Sequence, residues 1–467
     1  MNKIKSIWIY SLFIFIMSIV VILSWDDYFW ASSHGMAQLH NNFEGYNGRY
    51  LGNLLIMGIT RSVILRVIIY TIINVGIAVI IYKLLEEKVK MEYIIFILLT
   101  IPIGIFKQTY GWFSGFANYN ISSLFILTII FLLYKIKFRW YIPLVVFFLA
   151  FSSQFFAENV SIVNIIMSFL ILLISLFKDR KKAFSAMGWL IGSSIGSWIM
   201  FQNAAYHSES DRGLTNIFFS EIYKHLLQDW SELVVKNNVI LIILFSIVIY
   251  LLLENRKIIG SYLLLFNIYI ILRDYLNITY WKSPLYVLII ELVMILIFFG
   301  ILIYVGFKVL KGADRELYFV TLITGIMMVG PFVVVTPFGP RNILLTYLLL
   351  SISLGVLFTN LDLNKPSLVD NIFKKIIIVL SLIIVSLYSI NFFEDYRRIQ
   401  KIKIADKNNQ KVVEIRQLPF PFLGQVVDGI FPGDREIEFK EYYNISDRIE
   451  IKVVERTMPL SWKQTNY

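Results

Sequence analysis

Long apolar runs divide this chain from end to end, and no other feature constrains its fold as much. Only 16% of its 467 residues are charged, whereas soluble domains average about 25%. A helix that crosses the hydrocarbon core of a bilayer needs roughly 20 mostly apolar residues, so the runs predict an all-α polytopic membrane protein of about 13 transmembrane helices. The predicted spans are 7–23, 63–82, 91–106, 119–134, 141–156, 160–177, 184–203, 238–253, 258–272, 285–306, 316–335, 343–359 and 374–391.

Basic side chains gather in every second loop of this map. Short cytoplasmic loops are rich in Lys and Arg, so these loops and the N-terminus are predicted to be cytoplasmic and the C-terminus extracytoplasmic. The alternation holds only if 141–156 and 160–177 are separate spans, whereas apolar length alone also allows one long helix with a kink near 157–159. The net charge of +11 is then a topology signal rather than a nucleic-acid surface. The basic residues concerned are Lys3, Lys5, Lys83, Lys88, Lys90, Lys135, Lys137, Arg139, Lys178, Arg180, Lys181, Lys182, Arg256, Lys257, Lys308, Lys311, Arg315, Lys365, Lys374 and Lys375.

The polar loop 24–62 follows the first span and begins with two adjacent carboxylates, Asp26 and Asp27. Charges at the mouth of a membrane helix are costly and usually serve a function. Either aspartate could act as a general base toward a hydroxyl, and the pair could hold a hard cation such as Mg²⁺ or Mn²⁺. A helix N-cap is the alternative. The chain has no cysteine, which excludes thiolate metal sites and Cys nucleophiles.

A second motif lies later in the same loop, where Gly45 and Gly48 flank Asn47 and precede Arg49. Glycines allow tight turns next to a ligand, and the arginine fork suits phosphate oxygens. Arg49 is therefore predicted to contact a phosphate, with Asn47 beside it. Anchoring of the loop to lipid headgroups is the alternative explanation for the arginine.

Two further motifs are predicted on the outer side. Trp112, Asn118 and Tyr119 could bind a sugar by ring stacking and hydrogen bonds, although aromatic residues also form interfacial belts. Glu158 and Asn159 lie at an outer helix end, where a carboxylate is a functional candidate. A helix-capping or packing pair is the alternative for these two residues.

The last polar motif is the turn 336–342, which ends in Arg341 and Asn342. Its prolines and glycine predict a rigid turn, and Arg341 is predicted to contact phosphate. Snorkelling of the arginine to the membrane surface is the alternative.

Apolar residues at helical spacing over 216–235 predict an amphipathic helix in the outer interface. Short alternating runs in 392–467 predict a small extracytoplasmic domain that is rich in β-structure.

Taken in order, these motifs resemble a poorly characterised bacterial family of multipass membrane proteins related to the GT-C glycosyltransferases. The resemblance is strongest up to about residue 160 and then fades, apart from Gly339-Pro340-Arg341. The residues that carry it are Asp26 and Asp27, then Asn47, Gly48 and Arg49, then Trp112, Gly115, Asn118 and Tyr119, and then Glu158 and Asn159.

The resemblance implies an inverting GT-C-type hexosyltransferase in the bacterial cell membrane. Its transmembrane domain would span 1–391, with 24–62 as the catalytic loop. The implied donor is a polyprenyl-phosphate sugar, and the acceptor is a cell-surface glycan or glycopolymer. Asp26 or Asp27 would be the base, and Glu158 would orient the acceptor or assist the base. Arg49 and Arg341 would stabilise the leaving phosphate.

Two other functions use similar substrates. A lipid-linked oligosaccharide flippase or transporter needs charges along a path through the bilayer, but charges within the predicted spans are few, chiefly Arg66 and Glu291. A polysaccharide polymerase or ligase would use the same lipid chemistry as a transferase. The concentration of polar residues at one face favours an enzyme.

Overall fold

The first half of the chain is a series of helices joined by short turns. The computed structural model describes residues 3–207, 219–253, 257–276, 283–333, 337–361, 367–425 and 434–455. The helices of the first half are α1 (Lys3–Val20), α2 (Trp25–Ala31), α3 (Ser33–His40), α4 (Tyr50–Arg61), α5 (Val63–Leu84), α6 (Met91–Leu99), α7 (Ile103–Thr109), α8 (Phe113–Gly115), α9 (Ile121–Tyr134), α10 (Ile142–Ser153), α11 (Glu158–Lys178) and α12 (Arg180–Phe201). A π-helical turn, Phe116–Asn120, joins α8 to α9.

The second half adds eight helices and two short strands. Its elements are α13 (Phe219–Lys224), α14 (Val239–Leu252), α15 (Lys257–Tyr275), α16 (Leu285–Val309), α17 (Gly312–Met327), α18 (Leu344–Phe358), α19 (Ser367–Lys407), β1 (Val412–Arg416), α20 (Asp434–Tyr443) and β2 (Glu450–Val454). Short 3₁₀ turns at Ala204–Tyr206, Gly330–Val333 and Pro340–Ile343 end or begin the neighbouring helices.

The prediction of an all-α, multi-pass membrane protein is confirmed. Over the described residues, nine helices are long and apolar enough to cross a membrane, and two sharply bent helix pairs raise this number to at most eleven. The bent pairs are α1 with α2, at 76°, and α6 with α7, at 89°. The predicted count of 13 is not reached by this measure, because neither α10, which is only 12 residues long, nor α15 is among these candidates.

The predicted break between the spans 141–156 and 160–177 is confirmed. α10 ends at Ser153 and α11 begins at Glu158, and both helices pack against α12. Three glycines of α12, Gly188, Gly192 and Gly196, face carbonyl oxygens of α10 so closely that a Cβ would lie 2.4, 2.4 and 2.7 Å from them. Small residues of this kind let the backbones of two membrane helices approach.

The predicted interfacial helix over 216–235 is not a separate element. Residues 216–218 lie outside the described part of the chain. From Ile222 the chain continues into α14 as one apolar helical segment that ends at Leu252 and is 31 residues long. The apolar residues that predicted a helix lying in the outer interface instead form the first turns of a candidate membrane span.

The basic loops predicted to be cytoplasmic meet at one end of the helices. Lys135 and Lys88 both pair with Glu86, at 2.7 and 2.8 Å, and their hydrogen bonds lower the pKa of Glu86 to about 2. Lys182 pairs with Glu316 at 3.2 Å, and Lys88 lies 3.7 Å from Asp314. Four separate loops, around 86, 135, 180 and 314, therefore lie together, as a shared side of the membrane requires.

The tail packs against the first polar loop at the opposite end. The Ser33 backbone N–H and hydroxyl donate to Glu441 at 2.7 and 2.8 Å, and His34 Nδ1 lies 3.0 Å from Glu438. The ring of Tyr28 contacts the aromatic side of α20, which consists of Phe439, Tyr442 and Tyr443. The tail and the acidic loop therefore share one side of the protein.

The described part of the tail is mixed rather than β-rich. α19 runs through the predicted domain boundary at 391 and continues to Lys407. β1 and β2 form a two-stranded parallel sheet, and they account for two of the three alternating runs. The third run, 436–439, lies in α20, because Phe439, Tyr442 and Tyr443 bury one helical face against α2.

Impermeant thiol labelling can test the two-sided arrangement. The chain has no native cysteine, so introduced cysteines can be read without background. We expect Lys181→Cys to be protected and His40→Cys to react in intact cells, because both positions are exposed but lie at opposite ends of the helices. Reaction of Lys181→Cys with protection of His40→Cys would reverse the predicted orientation.

Candidate functional site

Asp27 is buried and held by three hydrogen bonds. Its Oδ2 accepts from the Ser24 N–H at 3.0 Å, and its Oδ1 accepts from the N–H and hydroxyl of Ser114 at 2.9 and 2.6 Å. By accepting from the Ser24 N–H, the Asp27 side chain caps the start of α2. The carboxylate is 0% exposed, so it fixes α2 against the 112–115 turn and is closed to a substrate in this arrangement.

Asp26 differs from its neighbour because it is only half-buried. The acidic pair therefore divides into one carboxylate that shapes the loop and one that retains accessible surface. A divalent cation shared by the pair does not fit, since both oxygens of Asp27 already accept from N–H and O–H donors. Within the described residues, no group of three or more His, Asp or Glu side chains could hold a metal ion.

Arg49 and Glu158 form a bidentate ion pair across the site. Arg49 Nε lies 2.9 and 3.0 Å from the two carboxylate oxygens, and Nη2 lies 2.5 Å from Oε2. The Tyr206 hydroxyl donates to Glu158 Oε1 at 2.8 Å and accepts from the Gly48 N–H at 3.2 Å. This cluster joins the 47–49 turn to the start of α11 and to the 3₁₀ turn after α12.

The electrostatics of this cluster keep Arg49 charged and the Tyr206 hydroxyl protonated. Burial and the nearby Glu158 carboxylate raise the pKa of Tyr206, so its hydroxyl stays protonated and can donate. Burial alone would lower the pKa of Arg49, but Glu158 more than offsets this effect and the net shift is upward. With its guanidinium committed to Glu158, Arg49 is not positioned as a free phosphate ligand.

Asn47 shapes the turn from inside. Its Oδ1 accepts from the Arg49 N–H at 2.9 Å and from Asn53 Nδ2 at 3.0 Å. Asn203 Nδ2 donates to the Asn47 carbonyl at 3.2 Å. A Cβ at Gly48 would lie only 2.2 Å from the Met200 carbonyl oxygen, which explains the glycine. Asn47 is buried and therefore supports the turn rather than contacting a ligand.

Arg341 lies in the 3₁₀ turn Pro340–Ile343, which precedes α18. The Arg341 N–H donates to Gln108 Oε1 at 3.1 Å, and its guanidinium carbon lies 5.7 Å from the centre of the Trp112 ring. Asn342 Nδ2 lies 3.5 Å from the Tyr119 hydroxyl. Within the described residues, no carboxylate pairs with the Arg341 guanidinium, so it is available to an anion.

The remaining predicted residues are more enclosed than a sugar site requires. Trp112 and Tyr119 are 7% and 6% exposed, so their ring faces pack inside the protein and are not open for stacking. Asn159 Nδ2 donates to the Met328 carbonyl at 3.1 Å, which fits the packing alternative. Asn118 Nδ2 donates to the Ser114 carbonyl at 2.8 Å, and its half-buried side chain lies against Gly52 of α4.

These contacts connect motifs that are far apart in the chain. Asp27 bonds to Ser114, one helical turn before Asn118, and Asn118 touches α4, whose N-cap is Arg49. Three hydrogen-bonding partners of the predicted site residues were missed from the sequence: Ser114, Asn203 and Tyr206. The spacing of Ser24 and Asp27 is typical of a helix cap and was the one sequence signal for these contacts.

Comparison of this chain with family models, with curated proteins and with solved structures finds no match.

Proposed function

We propose that this protein is a membrane glycosyltransferase that moves a hexose from a polyprenyl-phosphate donor to a cell-surface glycan or glycopolymer at the outer face. The observation that carries the proposal is the joining of five separate polar motifs into one cluster at one end of an otherwise apolar helical protein. That cluster contains a half-buried carboxylate, Asp26, and an arginine, Arg341, that has no carboxylate partner among the described residues.

In the proposed reaction, Asp26 takes the proton from an acceptor hydroxyl as its oxygen attacks the anomeric carbon of the donor sugar. The bond between that carbon and the phosphate oxygen breaks, and the lipid phosphate leaves with the electron pair. A single displacement inverts the anomeric centre. Arg341 stabilises the charge that develops on the phosphate, an electrostatic role suited to a fixed guanidinium.

Asp27, Arg49 and Glu158 hold this arrangement without touching the reacting atoms. Asp27 fixes the helix that carries Asp26, and the Arg49–Glu158 pair fixes the other end of the loop. The earlier expectation that Arg49 binds the leaving phosphate and that Glu158 assists the base is therefore replaced by a positioning role for both.

The buried charge pair Arg273–Glu291 gives the transporter alternative little support. Arg273 and Glu291 are 5% and 3% exposed and pair with each other, and the Tyr269 hydroxyl donates to the same carboxylate. Because these two charges pair with each other, they indicate a contact that stabilises helix packing. A transport path would need charged groups that can exchange their partners for a substrate.

Reconstitution tests the proposed reaction. The full-length protein in liposomes should release polyprenyl phosphate from polyprenyl-phosphate glucose, mannose or galactose only when a surface glycan acceptor is added. Products with one added hexose would support transfer. Products extended by many units would replace the proposal with a polymerase, and lipid-linked sugar crossing the bilayer without bond cleavage would replace it with a transporter.

A further inference from the structure

Arg66 is a membrane-helix arginine without an anionic partner in the described part of the chain. It lies in the first turn of α5, and its side chain is half-buried. Its Nε is shielded from solvent and makes no hydrogen bond to the described residues. Arginine stays charged at every physiological pH, and a charge within a membrane helix is costly unless it finds a partner. The position therefore calls for an anion that is supplied from elsewhere.

The surroundings of Arg66 form one wall of the polar cluster. Its guanidinium carbon lies 5.0 Å from the centre of the Phe113 ring, and Phe113 precedes Ser114, the partner of Asp27. α20 closes the other side, where the Tyr442 hydroxyl lies 3.4 Å from the Thr60 carbonyl. Burial raises the pKa of Tyr442 and Asp27 adds to this rise, while the nearby Arg66 charge opposes it.

The outer surface beside Arg66 is apolar. Val63 and Leu65 flank it with exposed apolar side chains, and Ile64, Ile68 and Ile72 continue the exposed apolar surface around the other side of α5. A ligand that satisfies this position therefore needs a negative head at the guanidinium and a hydrocarbon chain along the helix. Free inorganic phosphate has the first feature only, whereas a lipid phosphate has both.

We propose that Arg66, with the Phe113 ring behind it and Tyr442 beside it, binds the phosphate group of a lipid at the membrane-facing edge of the polar cluster. The site is distinct from Arg341, which lies over Trp112 instead. Its phosphate has two available sources, the lipid-linked donor and the phospholipids of the bilayer. The binding site stands by itself, but its use as a donor site rests on the proposed function.

Binding of a short probe tests the site directly. Farnesyl phosphate and farnesol are titrated into the full-length protein in phosphatidylcholine nanodiscs. We expect Arg66→Gln to weaken farnesyl phosphate binding about tenfold or more, as loss of a charged hydrogen bond implies, and to leave farnesol binding unchanged. Arg66→Lys should lose less affinity, because it keeps the charge. Arg139→Gln, at an exposed arginine in a loop of the opposite end, should bind like the wild type.

Added phosphatidylglycerol separates the two sources. If farnesyl phosphate stays bound to the wild type against a large excess of phosphatidylglycerol, the site selects the polyprenyl lipid. If phosphatidylglycerol displaces it in proportion to concentration, the site holds a bilayer phospholipid. Equal binding of farnesyl phosphate by wild type, Arg66→Gln and Arg66→Lys would overturn the phosphate site, as would equal affinity for farnesol and farnesyl phosphate.

Transfer assays keep this inference separate from the proposed function. Arg66-dependent phosphate binding without any sugar transfer would contradict the transferase and leave the binding site in place. Sugar transfer by Arg66→Gln at the wild-type rate and with the wild-type KM for the donor would contradict the use of Arg66 as a donor site and leave the transferase in place.

Discussion

Asp26→Asn should lower the rate of sugar transfer by roughly 10²–10⁴-fold, the usual contribution of a general base. The substitution keeps the size of the side chain but replaces one acceptor oxygen with an NH₂ donor and removes the basicity. Asp26 is half-buried and is not the residue that caps α2, so the folded state should survive. The measurement is the rate of polyprenyl phosphate release by the reconstituted protein, together with the midpoint of its thermal unfolding.

Asp27→Asn is the matched control for this prediction. An amide at this position cannot accept charge-assisted bonds from Ser24 and from both donors of Ser114. We therefore expect a lower unfolding midpoint and a lower yield of folded protein. Wild-type transfer by Asp26→Asn would show that Asp26 is not the base. A stable Asp27→Asn protein that has lost transfer would move the base to Asp27.

Hydropathy predicted the membrane part of the fold well because the signal is local. The break before Glu158 was predictable because the alternation of loop charge required it, although apolar length alone also allowed one long kinked helix. The tail was less predictable. The run 436–439 alternates over only four residues, which is too short to separate a strand from a helix, and its helical face becomes clear only when Tyr28 is placed against Phe439.

The candidate site shows where sequence reasoning reached its limit. The residue types and the shared side were predictable, since acids, arginines and aromatic residues recur in alternate loops. The partners were not, because a hydrogen bond between Asp27 and Ser114 depends on how α2 meets a turn 87 residues away. The same limit applies to Arg49. Its fork suits both phosphate and carboxylate, and only the tertiary contact with Glu158 shows which one it meets.

The Arg49–Glu158 pair gives the second large expected effect. Glu158→Gln should destabilise the folded protein by roughly 3 kcal/mol, because removal of one partner leaves a mostly buried charge uncompensated. Both side chains are 21% exposed, which places the loss at the low end for such pairs. Unfolding in detergent, followed by circular dichroism, measures the change.

A double replacement separates the charge from the geometry. The double variant Arg49→Gln/Glu158→Gln should lose less free energy of unfolding than the two single variants lose together, since no unpaired charge then remains. Transfer by the double variant should still fall, because the loop that presents Asp26 is no longer held from its other end. If Glu158→Gln were as stable as the wild type, the pair would not hold the loop. Arg49 would then be free to bind a phosphate after all, and the positioning role assigned to both residues would be lost.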